Sequence, residues 1–276
     1  MNLADPHDRH LLLNGLAETA VTAGEAINRI FEAGFEVEHK ADASPVTLAD
    51  RTAEGVILKA LAVLAPGIPV VAEEEAAEGR IPEVGAQFFL VDALDGTREF
   101  VKRGSDFTVN IGLIEDGRPT LGVVFAPRLR RLYAGDVASM IAWRREPEHA
   151  EPTALHIRSG RTPPTAVASR SHATPPTEAY LEAVGAGDRV SIGSSLKFAM
   201  LAAGEADLYP RPSPTMEWDT AAGHAVLAAA GGRVFGLDGR PLVYGKPDFY
   251  NPGFLAVGDF DGPPLGPFMA ETGSDE

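Results

Sequence analysis

The chain has 276 residues, 45% of them hydrophobic, which is enough for a substantial core in one large domain or two ordinary ones. Its 24 basic and 39 acidic residues give a net charge of -15, which argues against an extended nucleic-acid footprint or an anionic membrane surface as partner. Cysteine is absent, which excludes disulfides, thiolate zinc sites and a cysteine nucleophile, and leaves the redox compartment open. The first ten residues lack the basic start and apolar stretch of a signal peptide, and no run reaches membrane-spanning length, so the expected location is cytoplasmic.

From Asp8 to Phe31 the apolar residues Leu12, Leu16, Ala20, Ala23, Ile27 and Ile30 recur at three- and four-residue steps, which predicts an amphipathic helix ending near Gly34. Ser44-Pro45-Val46-Thr47 breaks that pattern, and a second helix is expected over Leu48 to Leu64, stopped by Pro66-Gly67. Asp50 lies in its first turn, where Thr47-x-x-Asp50 reads either as a capping box or as part of a metal or water site. Ile68 to Ala72 reads as a short buried strand running into Glu73-Glu74-Glu75, which is either a solvated charged loop or a carboxylate placed at a strand end.

The apolar run Gln87-Phe88-Phe89-Leu90-Val91 predicts a second buried strand, so that Asp92 and Asp95 emerge where the strand ends and the chain turns. Two carboxylates this close repel, and need a cation, a shared proton or water to coexist. A divalent metal meets that need through hard oxygen ligands, and Gly96-Thr97 would expose backbone N–H groups of the kind that bind phosphate. Phe107 to Ile114 and Thr120 to Phe125 flank Glu115-Asp116-Gly117-Arg118-Pro119, a strong hairpin signal, and Leu132 to Ala134 and Ser139 to Trp143 extend the antiparallel series.

The proline-rich stretch from Glu146 to Pro164 marks a junction, giving an expected first domain over residues 1–160 and a second over 161–270, followed by a loose acidic tail over 271–276. Past the junction, strands at Ala166 to Ser169, Asp188 to Ile192 and Ala206 to Tyr209 alternate with helices at Pro176 to Val184 and Ser195 to Ala203, the pattern of a layered α/β unit. A last helix is expected from Glu217 to Ala230, closing at Gly231-Gly232, with Asp219 near its start.

Leu90 to Phe100 resembles the first signature of the inositol monophosphatase superfamily, and Glu217-Trp218-Asp219-Thr220-Ala221-Ala222-Gly223 resembles its second, in the right order and about 120 residues apart. Pro45-Val46-Thr47-x-x-Asp50 and the Glu73-Glu74 pair match two further family positions, so the likeness spans roughly residues 10 to 260. It implies a layered αβαβα fold of the α/β class, with an antiparallel N-terminal half. Gly193-Ser194-Ser195-Leu196-Lys197-Phe198, the run Ala206 to Arg211 and the string Glu217 to Val226 resemble the CysQ-type 3'(2'),5'-bisphosphate nucleotidases. Ala93 departs from the proline common in the family, which would loosen the loop without removing a side-chain ligand.

The resemblance implies that Glu73, Asp92 and the Leu94 carbonyl hold one Mg²⁺, and that Asp92, Asp95 and Asp219 hold a second, with a third and weaker ion as another holder of the attacking water. These are hard oxygen donors, with no histidine or cysteine to recruit zinc. Asp50 and Thr97 would activate the water, Gly96 and Thr97 would bind phosphate oxygens, and Ser194, Lys197 and Arg211, with Asp219, would approach the substrate. His172 and Arg170 would line the adenosine side, while His224 is expected to be a packed helix histidine.

Local pattern alone offers a plainer role for two of these residues: Lys197 as a solvated helix residue and Asp219 as an acid at its own helix N-terminus. The implied activity is Mg²⁺-dependent, lithium-sensitive removal of the 3'-phosphate from adenosine 3',5'-bisphosphate, giving AMP and phosphate in sulfur metabolism, without a phosphoenzyme. An inositol or sugar monophosphatase is the alternative, and a non-catalytic nucleotide or metal binder is a further one. The partner is a small molecule, and monomer or homodimer is left open.

Overall fold

The computed structural model describes residues 2–39, 45–147, 151–168 and 174–272. Helix α1 (Pro6–Ala33) starts where the Asp5 side chain accepts the His7 N–H, with proline in the first turn, and stops at Gly34. Strands β1 (Val37–His39) and β2 (Pro45–Thr47) pair antiparallel and lead into α2 (Leu48–Leu64), which has the predicted bounds. Strand β3 (Val70–Ala72) passes directly into a short helix α3 (Glu73–Ala77), so the three glutamates form a helix N-terminus instead of a loop.

Strand β4 (Gln87–Asp95) continues past Val91 to Asp95, where the sequence pattern had it ending, and its pairing slips in register between Asp92 and Asp95. That irregularity frees the end of the strand to aim side chains into a site. After α4 (Thr97–Val101), strands β5 (Thr108–Glu115) and β6 (Arg118–Ala126) form the predicted hairpin, with Asp116 and Gly117 both at positive φ in its two-residue turn. Strands β7 (Arg131–Asp136), β8 (Ile141–Arg145) and β9 (Thr153–Ala154) complete a seven-stranded sheet in the order β3 to β9, antiparallel apart from the β3–β4 pair. Strand β8 starts two residues later than predicted, because Ser139 and Met140 belong to the preceding turn.

The second half supplies β10 (Ala166–Ala168), α5 (Pro175–Ala183), β11 (Arg189–Ser191), α6 (Leu196–Ala202), β12 (Leu208–Arg211) and the short β13 (Thr215–Met216). The helix expected from Glu217 is split into a 3₁₀ turn over Glu217–Asp219 and α7 (Ala221–Ala229). Strands β14 (Arg233–Gly236), β15 (Tyr250–Asn251) and β16 (Phe254–Val257) follow. A five-stranded mixed sheet runs in the order β11-β10-β12-β16-β14.

Three apolar clusters define the layers. Leu12, Leu16, Ile27, Ile57 and Leu61 of α1 and α2 pack on one face of the large sheet. Its opposite face packs on α6 and α7, which in turn pack on the smaller sheet. Tyr180 and Leu181 of α5, with Leu265, cover the outer face of that sheet. The order is α, β, α, β, α, as expected, because each sheet face and helix stripe is apolar and must be covered.

The central layer is unusually close, for a reason visible in the register. Gly112, Gly122 and Gly135 lie opposite one another on β5, β6 and β7. A Cβ at Gly122 would lie 2.3 Å from the Ala222 carbonyl oxygen and 2.6 Å from Ala225 Cβ, and one at Gly135 would lie 2.8 Å from Val226 Cα. Helix α7 meets this lane with Ala221, Ala222, Ala225 and Ala229, so small residues on both sides let backbone approach backbone. The turn before α7, which carries Asp219, is thereby held against the sheet that carries Asp92 and Asp95. Among the described residues, no helix is long and apolar enough to cross a membrane.

Candidate active site

Glu73 opens α3 at the end of β3, Asp92 lies in the irregular end of β4, and Asp219 ends the 3₁₀ turn before α7. Each offers a carboxylate oxygen, and these oxygens all lie within 4.8 Å of one another. Burial first, then repulsion from Glu73, Asp95 and Asp219, pushes the Asp92 carboxyl well above its ordinary pKa. Burial, then Asp95 and Glu73, does the same at Asp219. A group of carboxylates that is desolvated and mutually repelling suits a hard divalent cation, and the donors are all oxygen. The residues therefore fit a metal of the Mg²⁺ class.

Asp50 is used twice, through different oxygens. Its Oδ2 accepts from the Thr47 backbone N–H and hydroxyl, each at 2.7 Å, which is the capping box. Its Oδ1 accepts from the Thr97 hydroxyl at 3.1 Å, across 47 residues of chain. Asp50 therefore forms the capping box and, through its other oxygen, is also tied to the Asp92–Thr97 turn. The Thr97 hydroxyl has the Leu94 carbonyl as a second acceptor, also at 3.1 Å, and Asp92 Oδ1 accepts the Leu94 N–H at 2.9 Å, which folds the Asp92–Thr97 turn on itself. Gly96 holds the left-handed conformation there at φ 94°, with the Asp106 carbonyl 3.1 Å from where a Cβ would be. Asp219 likewise caps its own turn by accepting the Met216 N–H at 2.9 Å, while still facing Glu73 and Asp92.

A cavity of about 300 Å³ joins this acidic end to a cationic one. Glu73, Asp95, Gly96, Thr97 and Asp219 line it together with Ser194, Lys197, Tyr209 and Arg211. Lys197 is only 4% exposed, so the expectation of a solvated helix lysine is overturned: the side chain turns inward over the Tyr209 ring and donates to the Ser194 carbonyl at 2.7 Å. Burial pushes its pKa down to about 8, with Asp95 opposing and Arg211 assisting. Ser194 sits at positive φ, and its Oγ, like Arg211 Nε, is buried without a hydrogen-bond partner. Unpaired buried polar atoms are costly unless a ligand answers them.

The inositol monophosphatase family model matches residues 8–254. The chain belongs to the inositol monophosphatase family. A 3'(2'),5'-bisphosphate nucleotidase CysQ from Shigella flexneri is 46% identical over 246 residues, covering 88% of this chain and 98% of that one. The protein of the same description from Escherichia coli K12 is 45% identical over the same shares. Among solved structures, CysQ from Bacteroides thetaiotaomicron is 36% identical with a TM-score of 0.73, covering 90% of this chain and 98% of that one. An inositol monophosphatase from Anabaena, 24% identical with a TM-score of 0.70 over 94% of each chain, shares the fold.

Within this family member, the sequence left several site residues unnoticed. Glu54 is buried and accepts the backbone N–H groups of Glu74 at 2.8 Å and Glu75 at 3.0 Å, which fixes the start of α3 beside Glu73. Burial pushes its carboxyl up to about 7. Its signal was its spacing, four residues after Asp50 on the same helix face. Glu217 is fully buried and accepts the backbone N–H groups of Gly245 and Lys246, anchoring the turn that carries Asp219. Asn110 carries no sequence signal for a site, and Ser195 lies within the Gly193–Phe198 string without an assigned role, yet both touch Asp95. His224 is buried and bonded to Tyr244 at 3.0 Å, as expected. His172 and Arg170 lie outside the described residues.

Proposed function

We propose that the protein is a Mg²⁺-dependent phosphomonoesterase that removes the 3'-phosphate of adenosine 3',5'-bisphosphate. The observation that carries this reading is the single cavity lined both by Glu73, Asp95 and Asp219, two of which belong to the carboxylate cluster with Asp92, and by the buried Lys197, with the unpaired Ser194 Oγ and Arg211 Nε. A substrate with one phosphate would satisfy only the acidic end. A bisphosphate would satisfy both, and it explains why an acidic protein buries a lysine beside an arginine. The likeness to the CysQ proteins supports the same substrate.

In this reading Glu73, Asp92 and the Leu94 carbonyl would hold one Mg²⁺, and Asp92, Asp95 and Asp219 would hold a second. Bound there, Mg²⁺ would neutralise charge on the phosphoryl oxygens and make a water more acidic, the main contribution towards the roughly 20 kcal/mol that such a hydrolysis needs. Thr97 Oγ1 orients the attacking water, and its proton passes through that hydroxyl to Asp50, whose carboxyl burial holds above its ordinary pKa. The water oxygen bonds to phosphorus, the bond from phosphorus to the ribose oxygen breaks, and that oxygen takes a proton from solvent water while Asp50 returns its own to solvent, so no side chain is phosphorylated. The backbone N–H groups of Gly96 and Thr97 hold phosphate oxygens, while Ser194, Lys197 and Arg211 hold the second phosphate. Residues 1–160 would thus supply most of the reaction machinery, and residues 161–270 the substrate selection together with Asp219.

The test is phosphate release with Mg²⁺ from adenosine 3',5'-bisphosphate and from inositol monophosphate. The nucleotide should be the far better substrate. The reverse preference would overturn the substrate while leaving the metal chemistry standing.

A further inference from the structure

We infer that Ser195 is a positioning residue for the metal site: its hydroxyl, oriented by Asn110, holds the Asp95 carboxylate and the turn of Asp219 in place for a divalent cation. The inference rests on the function proposed above only in taking Asp95 as a ligand.

Ser195 occupies the N-cap position of α6, where a serine ordinarily bonds an N–H of its own helix. Here its side chain makes no such bond. Its Oγ lies 2.9 Å from Asp95 Oδ2 and 3.0 Å from the Asp219 backbone carbonyl, joining β4 of the first half to the turn before α7 in the second. The residue is 1% exposed, at the wall of the cavity.

Asn110, fully buried on β5, donates from Nδ2 to Ser195 Oγ at 2.9 Å, with Asp95 Oδ2 3.4 Å away. A carboxylate only accepts, so the amide must present its N–H₂ to this side. Ser195 Oγ accepts from Asn110, and its single hydroxyl hydrogen is shared between Asp95 Oδ2 and the Asp219 carbonyl. Both acceptors belong to residues assigned to the second metal. A chain of bonds in one direction strengthens each member, and buried partners of a ligating carboxylate set its orientation.

The placement also explains the segment's order. Ser195 follows Ser194 and precedes Lys197 by two residues, so the segment that meets the substrate's second phosphate is bonded directly to a metal ligand. Truncating Ser195 would remove the shorter of the two side-chain hydrogen bonds that Asp95 accepts among the described residues, leaving that from Asn110 at 3.4 Å.

Mg²⁺ itself is the probe, titrated by calorimetry into the whole protein without nucleotide. Ser195→Ala is expected to weaken Mg²⁺ binding about 10- to 100-fold, and the Mg²⁺ concentration for half-maximal activity should rise in step. Ser195→Cys, close in shape but a poor donor, should weaken binding in the same direction while preserving packing. In an Asp95→Asn background the Ser195→Ala change should add less than about two-fold, since residues acting through one contact are not additive. Mg²⁺ affinity within about two-fold of the parent in both Ser195 variants would overturn the inference and leave a structural serine. So would full additivity with Asp95→Asn, or an Asp95→Asn protein that binds Mg²⁺ normally. Failure of the parent to hydrolyse the bisphosphate would instead count against the proposed substrate, and the Mg²⁺ titrations would stand apart from it.

Discussion

Replacing Gly122 with alanine adds one methyl group at the closest point of the central layer. The new Cβ would lie 2.3 Å from the Ala222 carbonyl oxygen and 2.6 Å from Ala225 Cβ. That is roughly 1 Å short of ordinary van der Waals contact, and the atoms in the way are backbone and a Cβ, not the end of a flexible side chain. Helix α7 must retreat or the sheet must bend, at a cost of about 1–3 kcal/mol, with the upper end expected because neither neighbour can rotate away. The same retreat moves Asp219, three residues before Ala222, away from Glu73 and Asp92. Urea unfolding with and without Mg²⁺ reads both effects: the midpoint should fall at unchanged slope, and the stabilisation gained on adding Mg²⁺ should shrink. A Gly122→Ala protein within about 0.5 kcal/mol of the parent, with undiminished Mg²⁺ stabilisation, would refute the claim that this glycine lane positions Asp219.

The same substitution at Gly55, inside α2, should have the opposite sign, since nothing lies within 4 Å of an added Cβ there; Gly55→Ala is expected to stabilise by about 0.4–1 kcal/mol in the same assay. Thr97→Val removes the hydroxyl between the water and Asp50 and should lower kcat by about 10²- to 10⁴-fold with Mg²⁺ affinity largely kept, so an unchanged kcat would exclude the relay. Burial lowers the His224 pKa to about 3, so below pH 6.5 the unfolded chain takes up a proton that the folded chain refuses, and stability falls with acidification from 6.5 towards 3. The cost reaches about 2 kcal/mol by pH 5. A His224→Gln variant should lack that component, seen as a flatter dependence of the urea midpoint between pH 7.5 and 5; equal slopes would show that His224 is protonated in the fold.

Much of the fold was legible because it is local. The spacing of Leu12, Leu16, Ala20, Ala23 and Ile27 marked α1, and Thr47 and Pro66-Gly67 bounded α2. Asp116-Gly117 marked the hairpin. The ligand candidates were legible from the two family signatures and the Glu73-Glu74 pair, and Glu73, Asp92 and Asp219 do converge. Where a local rule predicted one use for a residue, the structure often added a second: Asp50 and Asp219 both cap their own turns and also face the site.

Other features were decided only by chain segments far apart. Lys197 reads as a surface helix residue until Tyr209 and the Ser194 carbonyl enclose it. Ser195 reads only as the start of a helix until Asp95, 100 residues earlier, accepts from its hydroxyl. Gly112, Gly122 and Gly135 are unremarkable in their own strands, and acquire a role only when pairing aligns them under α7. By itself, then, the sequence determined the helices, the hairpin and the set of acids available for a metal, because capping, periodicity and turn chemistry act within a few residues. The tertiary structure decided which of those acids meet, how tightly α7 seats Asp219, and which cations are buried opposite them. Those outcomes depend on close packing and desolvation between distant segments, to which no local pattern responds.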